Sequence, residues 1–277
     1  MQTLHASETG EPSVTWFEGN SWLWTIGGVT FLVDPIFDTL DFGMPYFYKA
    51  DKRVFSDYRA LTERMAQEAE HIVITQGLPD HCCEKTLPRL AKLMKPTARV
   101  IAPPSAKDIV SRFFPDDRVT YAKPGDKVVL KGSGGEVELA VMPGSVVGPP
   151  WQAPENAYLA RPRGATDGGV FYEPHCMWSE DAMRSVRADA IVTPTYGQRM
   201  GPEALHYTIL NSGERAVELA KTVGARRIIS YNNVDQESTG VLNLIVTRTG
   251  DAEEFARLAA KAGIEYVQVQ PGTRVAL

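Results

Sequence analysis

Two short stretches concentrate the side chains able to hold a metal or move a proton. Asp80-His81-Cys82-Cys83 follows the apolar run His71-Ile-Val-Ile-Thr75, and Glu173-Pro-His-Cys176 follows Val170-Phe-Tyr172. Imidazole nitrogens and carboxylate oxygens are ligands for zinc, iron and manganese, and both can act as acids or bases. Each also has an ordinary structural use. An aspartate after a strand can cap the next helix by accepting from its free N–H groups, and the adjacent His81 can then bond to backbone. Cys82 and Cys83 are neighbours in sequence and point in different directions, so one of them is read as packing.

The elements that would position these residues can be read from hydrophobic periodicity. Ser21–Ile26 and Val29–Val33, separated by Gly27-Gly28, predict an opening β-hairpin, which Asp34-Pro35 ends. Residues 37–48 are aromatic without a steady period and predict an ordered loop, either plain packing or a substrate-facing flap. Residues 60–70 and 84–94 have helical composition on either side of the strand 71–75, and 100–102 is a further strand. Residues 127–130 and 136–142 flank Gly-Ser-Gly-Gly as a second antiparallel pair, followed by short strands at 170–172, 190–193 and 227–230. Two helices are expected over 212–224 and 251–262, closed by Gly224 and Gly263. Trp22 and Trp24 share one strand face and are read as core.

Bulk properties narrow the function. The 277 residues are 43% hydrophobic, ample for a buried core and consistent with a single domain over 1–277. A net charge of −5 disfavours nucleic-acid partners. Three cysteines show no disulfide framework, Met1–Pro12 lacks the charge and apolar pattern of a secretory leader, and no apolar run reaches a membrane span. The expectation is a cytoplasmic protein without a membrane span, acting on a small-molecule ligand.

The segment Thr15-Trp-Phe-Glu-Gly-Asn-Ser-Trp-Leu-Trp-Thr-Ile-Gly-Gly-Val-Thr-Phe-Leu-Val-Asp-Pro35 resembles the opening of metallo-β-lactamase-fold hydrolases, in particular the lactonase and phosphodiesterase branch. Ile72-Val-Ile-Thr-Gln-Gly-Leu-Pro-Asp-His81 resembles that family's His-x-His-x-Asp-His motif, with Gln76 and Leu78 in the places of the first two histidines. Val141-Met-Pro-Gly-Ser145 resembles the strand of the next histidine, with Gly144 at its position. Val170–Cys176 resembles the strand bearing the bridging aspartate, with His175 in its place, and Asn232 is aligned with the last histidine. A looser resemblance links the Asp-His-Cys and Glu-Pro-His-Cys-Met strings to a cyanobacterial and chloroplast branch.

The resemblance implies an α/β fold, a four-layer αββα sandwich, with a degenerate two-metal centre. The three-histidine site is lost, and Asp80, His81 and His175, with Asn232 near, remain as ligands for one divalent ion or none. Two imidazoles and a carboxylate suit zinc with an open water position, or ferrous iron in a facial triad. Manganese is also admissible, and Cys176, a soft ligand beside His175, favours zinc. His5, His71 and His206 match no family ligand and are read as surface or structural. The first functional reading is a metal-dependent hydrolase in which Asp80 serves the catalytic centre, a metal-bound water attacks and Glu173 assists as general base. Trp151, Trp178 and Tyr46 are expected to line a pocket for a small, partly apolar substrate. A non-catalytic small-molecule-binding protein and a mononuclear iron oxygenase are the alternatives.

Overall fold

Strand alternation divides the apolar residues of this chain among three interfaces. The computed structural model describes residues 11–146, 151–233 and 236–277. His5, most of the polar N-terminal stretch and residues 147–150 of the Gly144–Trp151 loop lie outside the described residues. The first half of the chain supplies β1 (Ser13–Trp16), β2 (Trp22–Ile26), β3 (Val29–Val33), β4 (Lys49–Asp51), α1 (Tyr58–Glu68), β5 (His71–Val73), α2 (Leu87–Leu93), β6 (Val100–Ala102), α3 (Lys107–Val110) and β7 (Val119–Tyr121). The second half supplies β8 (Lys127–Gly132), β9 (Gly135–Pro143), β10 (Asn156–Pro162), β11 (Val170–Tyr172), α4 (Glu180–Met183), β12 (Ala190–Pro194), β13 (Gly197–Met200) and β14 (Tyr207–Leu210). It continues through α5 (Glu214–Val223), β15 (Arg227–Tyr231), β16 (Glu237–Thr239), β17 (Val246–Thr249), α6 (Ala252–Lys261), β18 (Glu265–Gln268) and β19 (Arg274–Ala276).

Two seven-stranded sheets run in the orders β19-β1-β2-β3-β5-β6-β7 and β18-β15-β12-β11-β10-β9-β8. In each, an antiparallel portion gives way to parallel strands: β3-β5-β6-β7 in one and β11-β12-β15-β18 in the other. Because side chains alternate across a strand, Trp22, Trp24, Phe31, Val73, Tyr172, Val192 and Tyr231 meet in the space between the sheets. Leu32, Ile72 and Ile74 point the other way, to a core shared with Leu61, Met65 and Leu90 of α1 and α2. Phe171, Ile191 and Ile228 face α4 to α6 through Met183, Leu219 and Phe255. Three cores between four layers define an αββα sandwich.

The Gly27-Gly28 hairpin forms as its sequence predicts, with φ of 59° and 74°. The two glycines are also required by a close approach, since a Cβ on Gly28 would lie 2.2 Å from the Gly134 carbonyl in the β8–β9 turn of the opposite sheet. Gly28→Ala therefore combines positive-φ strain with a backbone clash, and a loss of about 2 kcal/mol is expected in denaturant unfolding; a change below about 0.5 kcal/mol would contradict this packing.

Helix 84–94 is shorter than its composition predicts. It begins at Leu87 after Thr86, whose hydroxyl accepts from Phe37 N–H, while residues 78–82 form a turn in which His81 and Cys82 N–H both donate to the Leu78 carbonyl. Asp80 is therefore not the helix cap. The small sheet β14-β13-β17 and the β4–β16 pair have no clear signal in the sequence. Among the described residues no helix is long and apolar enough to cross a membrane, and Cys82, Cys83 and Cys176 are free and buried.

Candidate metal centre

Sites in parallel sheets collect in the loops beyond the carboxyl ends of the strands. Asp34 follows β3, Thr75–His81 follow β5, Glu173–His175 follow β11, and Asn232 and Asn233 follow β15. There Asp80, His81 and His175 converge, each offering one ligand atom, and these atoms lie within 4.8 Å of one another. The imidazoles stand edge to face, with centroids 5.4 Å apart and planes at 87°.

The donor set fits a metal ion. Asp80 Oδ1 is buried without a hydrogen-bond partner, an arrangement that carries the full desolvation cost of a polar atom unless something binds it. Its Oδ2 lies 3.6 Å from His81 Nε2, and the Asp80 side chain is 26% exposed, open towards a cavity. His81 is wholly buried and held from behind, its Nδ1 bonded to Asp34 Oδ2 at 2.8 Å. A carboxylate on one ring nitrogen fixes the tautomer that presents the other to a metal. Asp34 is fixed in turn by the Thr75 N–H (2.7 Å) and hydroxyl (2.5 Å). It adopts φ 44°, a strained conformation for a residue other than glycine and one that turns its carboxylate under His81. Asn20 Nδ2 donates to the Asp80 carbonyl (3.0 Å) and lies 3.2 Å from His81 Nε2, and Tyr231 OH donates to Asn20 Oδ1 (3.3 Å).

His175 is steered by Ser145 and Gln76. Its Nδ1 lies 2.8 Å from Ser145 Oγ and 3.1 Å from Gln76 Nε2, and Gln76 also donates to Ser145 Oγ (3.0 Å). Gln76 and Ser145 are buried, and Gly144 is hemmed in by backbone, since its Cβ would lie 3.1 Å from the Glu155 carbonyl. Gln76, Ser145 and His175 thus form one buried hydrogen-bonded network. With the Gln76 NH2 facing the ring, His175 Nδ1 accepts and its Nε2 carries the proton. With the amide turned over, the Gln76 oxygen, now without a partner, would accept from Nδ1–H and leave Nε2 free to ligate. Gln76→Glu, which offers only acceptors when ionised, is expected to strengthen zinc binding about tenfold in chelator competition; unchanged or weaker binding would show that His175 does not ligate through Nε2.

Charge at the site is set by burial and by the crowding of acids. Burial alone would push His81 down, but Asp80, Asp34 and Glu173 together raise its pKa to about 9. Burial pushes Asp34 up, opposed by His81. Burial and the neighbouring His81 lower His175 to about 3, leaving it neutral. Burial lifts Glu173 to about 7 despite backbone N–H donors from Met177, Ser145 and His175.

Glu173 is not placed as a general base. Its Oε1 accepts from Ser145 N–H and its Oε2 from His175 and Met177 N–H, so it braces the loops carrying Ser145 and His175 and does not line the cavity. The aromatic pocket also differs from expectation. Trp151 and Tyr46 are 83% and 91% exposed. Trp178 packs under Arg215, whose guanidinium lies 3.7 Å from its ring. Neither these three residues nor Asn232 line the described cavity, which instead has Asn233 at the end of β15. The cavity, about 110 Å³, opens on Asp80 and His175 and is walled by Ile36, Leu40, Tyr48 and Leu210, with Lys52 among its polar groups. The aromatic loop 37–48 thus contributes Leu40 and Tyr48, not Tyr46. Asn20, Asp34, Ser145 and Tyr231 join the site with no signal in the sequence beyond an aspartate before proline at a strand end.

The Beta-lactamase superfamily domain pattern matches residues 13–232, and the chain belongs to this family. A comparison with curated proteins finds no match. Among solved structures, the metallo hydrolase Igni18 from the hyperthermophilic archaeon Ignicoccus hospitalis superposes with a TM-score of 0.62 at 16% identity, covering 96% of this chain and 98% of that one. The isothiocyanate hydrolase from Delia radicum gut bacteria gives 0.62 at 11% identity, over 96% and 99%. CmlA, a diiron β-hydroxylase from Streptomyces venezuelae, gives 0.62 at 16%, over 98% of this chain and 55% of that one. The shared architecture is the metallo-β-lactamase αββα sandwich, as the opening hairpin implied, and at these identities the likeness speaks for fold alone.

Proposed function

We propose that this chain is a mononuclear metal-dependent hydrolase of a small substrate, with the ion held by Asp80, His81 and His175. The observation that carries the reading is the convergence of Asp80, whose buried Oδ1 has no hydrogen-bond partner, with two imidazoles, one ligand atom of each lying within 4.8 Å of the others. A divalent ion there supplies Lewis acidity and lowers the pKa of water towards neutrality. The protein's own part is positional. Asp34 holds His81 in one tautomer, Gln76 and Ser145 choose that of His175, Glu173 braces the loop beneath it, and Asn20 ties Asp80 to His81. With Glu173 turned inward, Asp80 is the carboxylate of the triad that reaches the cavity, where it could also take a proton from water.

The test is the metal content of the purified protein and of chelator-treated protein reloaded with zinc, ferrous iron or manganese. One ion per chain is expected, lost in His81→Ala and His175→Ala, with ester or amide hydrolysis following the ion. A chain that takes up none of the three metals would overturn the reading; metal uptake with turnover only under ferrous iron and oxygen would replace the hydrolase with an oxygenase.

A further inference from the structure

The cavity holds a cation that the metal reading leaves unused. Lys52 follows β4 and reaches back to the β1–β2 turn, where Nζ donates to the carbonyls of Phe17 (3.0 Å) and Glu18 (2.9 Å). The turn that presents these carbonyls contains two consecutive left-handed residues, Glu18 at φ 67° and Gly19 at φ 57°. The same turn delivers Asn20 to His81 and Asp80, so one strained segment ties the ammonium to the metal centre. Gly19 suits this left-handed position, where a Cβ would meet the end of the Gln236 side chain at 2.7 Å.

An ammonium has three donors, and the two carbonyls take two. Among the described residues no carboxylate lies within ion-pair distance of Lys52. Glu18 is the nearest acid in sequence, but its carboxylate is drawn off to the Tyr58 hydroxyl and the Arg53 N–H. Asp38, also on the cavity wall, is neutralised by Arg89 at 3.1 Å, and Asp80 faces His81 at 3.6 Å. Among the described residues Lys52 is thus a cavity cation held by carbonyls, with Glu18 acting on it through space and no carboxylate in contact. Lys52 is half-buried, and burial lowers its pKa to about 8, which leaves it mostly charged at neutral pH. A partly buried ammonium with no carboxylate in contact is incompletely compensated, and a ligand of opposite charge lowers that cost.

We infer that Lys52 anchors an anionic group of the substrate, so that the substrate is a small carboxylate or phosphoryl compound whose charged end takes the third N–H of Lys52 while its scissile bond lies at Asp80 and His175. The cavity volume of about 110 Å³ is below the roughly 300–1,000 Å³ of drug-sized sites and restricts the bound part to a few heavy atoms. The inference rests on the same cavity being the substrate site, but not on metal occupancy.

The experiment uses the full chain after chelator treatment and follows propionate, methylphosphonate and propionamide by ligand-observed NMR titration. One of the two anions is expected to bind at one site per chain at least tenfold more tightly than the neutral amide, and the tighter of the two distinguishes a carboxylate from a phosphoryl substrate. Lys52→Gln should remove that preference without changing the affinity for propionamide, and Lys52→Arg should keep it within threefold. Equal binding of propionate, methylphosphonate and propionamide to the wild type, or an anion preference that survives in a folded Lys52→Gln protein, overturns the inference. If Lys52→Gln fails to fold, the wild-type preference and its retention in Lys52→Arg decide. Because metal is absent throughout, a chain that never binds metal can still show the anion site, and a metal-binding chain without anion preference defeats only this inference.

Discussion

Asp34→Ala is expected to lower stability by about 3–5 kcal/mol, the range found when one partner of a buried ion pair is removed, and to weaken zinc binding by about 10–100-fold. The two effects have one origin. Asp34 is fully buried and accepts from Thr75 N–H, Thr75 hydroxyl and His81. Without its carboxylate the Thr75 and His81 donors lose their acceptor in the interior, and nothing fixes the His81 ring with Nε2 towards Asp80. Asp34→Asn retains one acceptor oxygen but sets an NH2 against either Thr75 or His81, so its loss of stability should fall between wild type and alanine. Thermal unfolding of the metal-free proteins reads the first effect, a drop on the order of 10 °C for a chain of this size, and zinc competition with a chelator reads the second. If Asp34→Ala loses stability while keeping wild-type zinc affinity, His81 is a packing histidine and not a ligand.

What the sequence made visible follows from how far each signal reaches along the chain. The Gly27-Gly28 hairpin, the strand Val170–Tyr172 and the helix before Gly224 are local: a turn dipeptide, an apolar run and a left-handed C-cap at φ 73° each act within a few residues. The site is assembled from distant parts. Asp34 meets His81 across 47 positions, Gln76 meets His175 across 99, and Tyr231 meets Asn20 across 211. No periodicity reports such pairings, so the triad could be read only through likeness to a family, whereas the residues that orient it could not. Direction was equally hidden. Trp151 and Tyr46 look like pocket residues by type, but only three-dimensional packing decides that they point to solvent and that Leu40 and Tyr48 point inward. Glu173 has the composition of a general base, yet a turn two residues long folds its carboxylate back onto the His175 N–H.

The metal-induced rise in melting temperature should widen steadily from pH 6.5 to pH 9. His81 has its pKa raised to about 9 in the folded chain by the surrounding carboxylates, against 6.5 for the unperturbed ring. A raised folded pKa means that the proton stabilises the metal-free fold; this stabilisation is fully present below pH 6.5 and is lost as pH rises through 9. The shift corresponds to at most about 3.5 kcal/mol, part of which is offset because Asp34, its partner, is itself pushed up by burial. A metal at Nε2 must displace that same proton, so binding at neutral pH releases it and apparent affinity rises with pH up to about 9. The metal-free protein therefore loses stability over this interval, whereas the metal-loaded protein, unprotonated at His81 like the unfolded chain, does not, and the gap between them widens. Melting curves of chelator-treated and zinc-loaded protein at pH 6.5, 7.5 and 9, with His81→Ala as the control, separate the two. A metal effect that stays constant across this range would mean that the ion does not compete with the His81 proton, and would place it away from the Asp34-His81-Asp80 axis.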